Sequence, residues 1–135
     1  MEGLSSAENV LKDFIGRMNE WEVKYYSLFR NDDSASHTQD AKEELDEIYS
    51  IFCTKKERKQ GRQVALDCSD PPEYSPDEEV LSCDVSKNKI FFVTIQKTGF
   101  KNKFRYMLNF KEGRWLIDKK ERFSFSENKW IKFNL

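Results

Sequence analysis

The stretch IFCTKKERKQGR, Ile51 to Arg62, sets a cysteine and a threonine beside a cluster of lysines and arginines. Positive charge stabilises a thiolate, so Cys53 beside Lys55 and Lys56 is a candidate reactive thiol. Nucleophilic catalysis also needs a base. The single histidine, His37, sits in a serine-rich polar turn, where a surface or capping role is the better reading. Cys53 itself follows the buried-looking Phe52, and free cysteines in such places are usually inert core residues. Carboxylates are plentiful; Asp118 and Glu121, in the strand-like WLIDKKE, are the ones placed to point into a cavity. Without a histidine or metal partner, polar strand positions are their plainer reading. The five glycines are scattered, so there is no phosphate-binding loop, and neither HExxH nor CxxC spacing occurs. No metal or cofactor is implied.

Lys101, Lys103, Arg105, Tyr106, Arg114 and Trp115 interleave basic and aromatic types, as single-strand nucleic-acid binding requires. Strand alternation accounts for the same pattern, with rings inward and cations outward. Nucleic acid is therefore not the expected partner.

The elements that must carry these residues are legible from periodicity. Val10, Leu11, Phe14, Ile15, Met18, Trp21, Tyr25, Leu28 and Phe29 recur at the three-and-four spacing of one helical face. Ser5 and Glu8 have capping-box spacing, which starts this helix near Ser6. RNDDSAS ends it. A second helix is expected from Ser36 or Thr38, with Ala41, Leu45, Ile48, Tyr49 and Phe52 on one face and Asp40, Glu43, Glu44, Asp46 and Glu47 on the other. Thr54 and Glu57 repeat the capping-box spacing and Gly61 supplies a stop, so TKKERKQG reads as a short third helix. Arg58 and Arg62 are expected to pair with the acids that follow.

From Asp67 to Asp84 the chain holds seven acids, no bases and all three prolines, the mark of an extended or turning connection. The period then changes to two. KIFFVTIQKT is a strand, and KFRYMLNF places Phe104, Tyr106, Leu108 and Phe110 on one face. RWLIDKKERFSF and KWIKFNL follow, separated by the turn signals KEG and SEN. Strands joined so briefly are antiparallel neighbours. Helices first and a meander afterwards define an α+β fold, one domain over residues 1–135.

Composition agrees. At 38% hydrophobic and 14% aromatic, 135 residues can build a core that buries roughly two thirds of the unfolded surface. No apolar run approaches the roughly 20 residues of a membrane span, and nothing at MEGLSSAENV reads as a signal peptide. Cys53, Cys68 and Cys83 are odd in number and widely spaced, which suits a reducing cytoplasm. The net charge of -1 conceals an asymmetry. Residues 1–85 hold 10 Lys/Arg against 20 Asp/Glu, and residues 86–135 hold 13 against 4. Either the two halves neutralise one another in the fold, or an acidic face is kept for a basic partner.

FIGRMNEWEVKYY, IYSIFCTKKERKQGR, PPEYSPDEEVLS and YMLNFKEGRWLIDKKE, taken in order, resemble the bacterial immunity proteins with a nuclear-transport-factor-2-like fold. Those are encoded beside polymorphic toxins of the Rhs and contact-dependent-inhibition type. The resemblance runs from about Phe14 to Leu135. It implies a cone, with three helices packed on a curved antiparallel sheet, and cones of this type often pair through the open sheet face as homodimers. It implies a cytoplasmic protein that binds and blocks a cognate toxin domain without catalysis. Because toxins that act on nucleic acid are commonly basic, two acidic stretches become candidate toxin-binding sites: Asp40, Glu43, Glu44 and Glu47, then Asp70, Glu73, Asp77, Glu78 and Glu79, with Tyr74 as an aromatic anchor. A solvated face is the plainer reading of each acid. Relatives of the fold include isomerases and dehydratases that place an acid or histidine inside the cone. The alternative is thus a small-molecule-binding or enzymatic member, with Asp118 as the buried acid and Trp21, Tyr25, Tyr106 and Trp115 lining its pocket. Core packing is the plainer reading of those four aromatics.

Overall fold

Both helical stripes turn inward. In the computed structural model, which describes residues 2–31, 34–55, 73–97, 101–133 and 135, α1 runs Glu2–Asn31 and α2 runs Ser34–Phe52. Leu11, Phe14, Ile15, Met18, Trp21 and Tyr25 of α1 are buried, as are Ala41, Leu45, Ile48, Tyr49 and Phe52 of α2. The two helices are locked by the Trp21 indole, which donates to the Ala41 carbonyl at 2.9 Å, and by Lys24 on Glu44 at 2.7 Å. Phe14 is the meeting point: its ring packs edge-on against Tyr49 and Phe52 of α2 and against Tyr74.

The first helix begins earlier than its Ser5–Glu8 spacing suggests. Ala7 is fully buried, and once a helix exists each added residue gains a hydrogen bond at little cost, so the helix extends back past Ser5. Glu8 then serves as the partner of Lys12 one turn on, at 2.8 Å.

Five strands follow: β1 (Glu79–Ser86), β2 (Lys89–Ile95), β3 (Lys103–Lys111), β4 (Arg114–Ser124) and β5 (Lys129–Phe133). They form one antiparallel meander in the order β1-β2-β3-β4-β5. The KEG turn is tight because Glu112 and Gly113 both take positive φ, which suits a two-residue hairpin. Ile90, Phe92 and Thr94 of β2 face the helices, as do Phe104, Tyr106 and Leu108 of β3. Phe110 leaves this pattern: near the turn its ring is 43% exposed and stacks on Trp115. The edge strand β1 is open on both faces, with Leu81 and Val85 exposed.

A β-bulge in β4 decides which side chains enter the core. Leu108 pairs with Ile117 but Met107 pairs with Lys119, so Asp118 has no opposite number and the alternation slips by one. Lys120, opposite Tyr106, thereby joins the inner face. Glu121 goes to the outer face, where it accepts from Arg105 at 2.7 Å, and does not point into a cavity.

The described residues contain two helices, where three were expected. Thr54, the expected cap of the third, makes contacts of another kind. Its amide donates to the Ile117 carbonyl at 3.0 Å and its hydroxyl to Asp118 Oδ1 at 2.7 Å, and Cys53 bridges to Ile117. The chain leaving α2 is thus pinned to β4 at the bulge. Residues 56–61 of the expected helix, together with Arg58 and Arg62, lie outside the described residues.

Candidate functional site

On α2, Asp40, Glu43 and Glu47 fall on the solvent side because the apolar positions at Ala41, Leu45 and Ile48 fix the opposite face. The three acids form one exposed ridge. Glu44, beside it, is half-buried and holds Lys24, whose ammonium is pushed up in pKa by that bond. Glu43 accepts from Gln39 at 2.9 Å. Asp40 and Glu47 form no ion pair among the described residues, so their charge is available to a partner.

The second acidic stretch is divided by the fold. Asp70 lies outside the described residues. Glu79 is exposed and holds Lys97 at 2.7 Å, while Ser75 donates to Asp77. Tyr74 is only 1% exposed, so its ring is a core residue and not a surface anchor. Glu78 also turns inward, accepting from the Thr94 hydroxyl at 2.6 Å and from Gln96 at 3.3 Å.

What holds this segment is a residue that sequence reasoning missed. Glu22, fully buried on α1, accepts the backbone amides of Glu73 at 3.2 Å and Tyr74 at 2.9 Å. Asn19 donates to the Tyr74 carbonyl at 2.7 Å, and Gln96 donates to the Glu73 carbonyl. The signal was present. Glu22 stands four residues after Met18 and three before Tyr25, on the very stripe that marked the buried face.

Behind the segment lies the second missed residue. Lys120 is 2% exposed, and its Nζ sits 4.1 Å from the ring centroids of Tyr74 and Phe104 and 5.3 Å from those of Tyr106 and Phe133. Burial pushes the Glu78 carboxyl above its ordinary value; the Lys120 charge and the bonds from Thr94 and Gln96 offset this only in part. The Tyr106 phenol is pushed well above its ordinary value by burial and by the Glu78 charge, so it keeps its proton. Its hydroxyl lies beside Glu78 without a well-formed hydrogen bond.

The five residues expected to line one pocket are not brought together by the described contacts. Trp21 and Tyr25 belong to the seam between the helices, where their rings stack on one another. Trp115 is half-buried against Phe110. Asp118 is held by Thr54, and Tyr106 alone reaches the polar interior. Cys53 is buried. Among the described residues no group of three potential metal ligands occurs, and no helix is long and apolar enough to cross a membrane.

Two long amphipathic helices lie on a five-stranded antiparallel meander, with side chains filling the interior and an acidic face on α2. The NTF2 fold immunity protein family matches residues 6–134, and the chain belongs to that family. Over 135 residues, all of both chains, it is 64% identical to "Immunity protein RhsIA" of Dickeya dadantii (strain 3937). No solved structure matches it.

Proposed function

We propose that this protein neutralises a cognate Rhs-type toxin domain in the cytoplasm by holding it in a one-to-one complex, without catalysis. The observation that carries the reading is the full-length identity to an immunity protein, 64% over all 135 residues. The physical account places recognition on the surface. The ridge of Asp40, Glu43 and Glu47, flanked by Glu44, offers negative charge that would steer a basic toxin into register and compete with its anionic substrate. Glu73, Asp77 and Glu79 supply a second acidic margin, held in place by Glu22 and Gln96. Nucleic acid is not a partner in this reading, and the open sheet face leaves room for the pairing seen in cones of this type.

The enzymatic alternative has less support. The interior position that would hold a substrate is taken by Lys120 and its rings, and Asp118 is engaged by Thr54. The test is co-expression with the C-terminal domain of an adjacent Rhs-type gene, scored by growth and by co-purification. Rescue with a stable complex is expected. An active toxin domain that kills despite this protein, and fails to co-purify with it, refutes the pairing.

A further inference from the structure

We propose that the space between the sheet and the segment before β1 is a binding site for a primary alkylammonium ion, and that the chain occupies it with its own Lys120. Lysine is among the residues least often buried completely. Here four aromatic rings surround the ammonium, contributed by the segment before β1 (Tyr74), by β3 (Phe104, Tyr106) and by β5 (Phe133). All four centroids lie within the roughly 6 Å over which a ring face attracts a cation. The ammonium acts through charge on Glu78, whose carboxylate is oriented by Thr94 and Gln96. Ring faces on several sides and one fixed carboxylate are the recognition chemistry of a small amine.

Plain packing does not call for this arrangement. A buried ion pair is commonly no more stabilising than an apolar pair of similar volume, so an aliphatic side chain would fill the space as well. The site also depends on the bulge at Asp118, since without that slip Lys119 would take the inner position and Lys120 would face solvent. Tethering makes occupancy intramolecular, at an effective concentration a free amine does not reach, so the wild-type interior is closed to external ligands.

The test empties the site and offers the missing group back. Lys120→Ala removes three carbons and the ammonium, which n-propylammonium replaces. Thermal unfolding of K120A is followed with increasing n-propylammonium chloride, against 1-propanol at equal concentration, sodium chloride at equal ionic strength, and the wild-type protein. The expected result is a saturable rise in stability for K120A with n-propylammonium alone. At ligand one hundred times its Kd, the folding constant rises about a hundredfold. If K120A does not fold by itself, the same ligand should restore its helical circular dichroism. Equal stabilisation by 1-propanol, an equal response from wild type, or no recovery overturns the proposal. A second measurement needs no variant: in the wild-type NMR spectrum, ring currents should move the Lys120 Hε protons well upfield of the other lysines. Unshifted protons overturn it equally.

Discussion

Replacing Glu22 with alanine tests whether a single buried carboxylate holds the start of the acidic segment. The side chain is fully buried and accepts two consecutive amides, those of Glu73 at 3.2 Å and Tyr74 at 2.9 Å. Leaving a buried donor unsatisfied costs about 1–3 kcal/mol, with bonds to charged groups at the upper end. The Tyr74 amide is buried and bears that cost in full, whereas the Glu73 amide is partly buried and recovers some of it from water. The sum is about 2–4 kcal/mol, which for a domain of this size lowers the unfolding midpoint by roughly 10 °C. Glu22→Gln keeps the volume and one carbonyl oxygen, so about half the loss is expected. The assay is thermal unfolding joined to amide hydrogen exchange. Exchange at Glu73 and Tyr74 should quicken more than at Phe92 in the middle of the sheet. A Glu22→Ala protein that loses less than about 1 kcal/mol, or whose Tyr74 amide stays as protected as before, refutes the clamp.

Three further outcomes follow from the same geometry. Reversing Asp40, Glu43 and Glu47 to lysine should slow toxin association about tenfold or more at low salt, with the difference shrinking as salt screens it; stopped-flow rates that match wild type would remove the α2 ridge from the interface. Gly16→Ala should stabilise the fold by about 0.5–1 kcal/mol, because the position is helical and an added Cβ meets nothing within 4 Å; a lower denaturation midpoint would contradict that. Glu78 sits above the ordinary glutamate value of 4.5, so between 4.5 and its raised value the folded protein holds a proton that the unfolded chain has lost. Its contribution is therefore complete below 4.5 and declines as pH rises through the folded value. The stability of wild type relative to Glu78→Gln should be greater at pH 4 than at pH 7, and urea titrations showing the opposite slope would refute the assignment.

The helices were legible because burial and periodicity coincide there. Every apolar position of the α2 stripe is buried, and so are six of the nine in α1. Strands β2 to β5 were legible for the same reason, down to the inward alternation of Phe104, Tyr106 and Leu108. Strand β1 was not: it lies in what reads as an acidic connection, and its side chains are open on both faces, so no alternation marks it. Nor was the interior. Which of Asp118, Lys119, Lys120 and Glu121 faces inward depends on one extra residue in β4, and local composition carries no mark of it. Thr54 shows a different limit: its hydroxyl donates to Asp118, 64 residues away in sequence, a contact that no local window contains. Tyr74 looked like an anchor because its neighbours are acidic and polar. Its burial is set by Phe14 and Lys120, which no local window contains.

The charge asymmetry between the two halves has a counterpart among the described residues. Were it devoted to internal neutralisation, acids of residues 1–85 would pair with bases of residues 86–135. Among the described residues Glu79 pairs with Lys97 on the surface, where Asp77 also acts on the ammonium, and Lys120 acts on Glu78 through charge in the interior. Within a half, Glu8 pairs with Lys12, Glu44 with Lys24 and Asp46 with Lys42 in the first, and Glu121 with Arg105 in the second. Asp40, Glu43 and Glu47 therefore keep their charge on the helical side, while Lys119, Lys129 and Lys132 remain exposed on the strands. A surface divided in this way has a direction. In the proposed reading a basic toxin domain would be drawn to the helices and repelled from β4 and β5, so that encounter and orientation are selected together. That is a use for the asymmetry which its near-zero total conceals, and it predicts that neutralising the strand lysines should leave affinity nearly unchanged while blurring which face the toxin meets first.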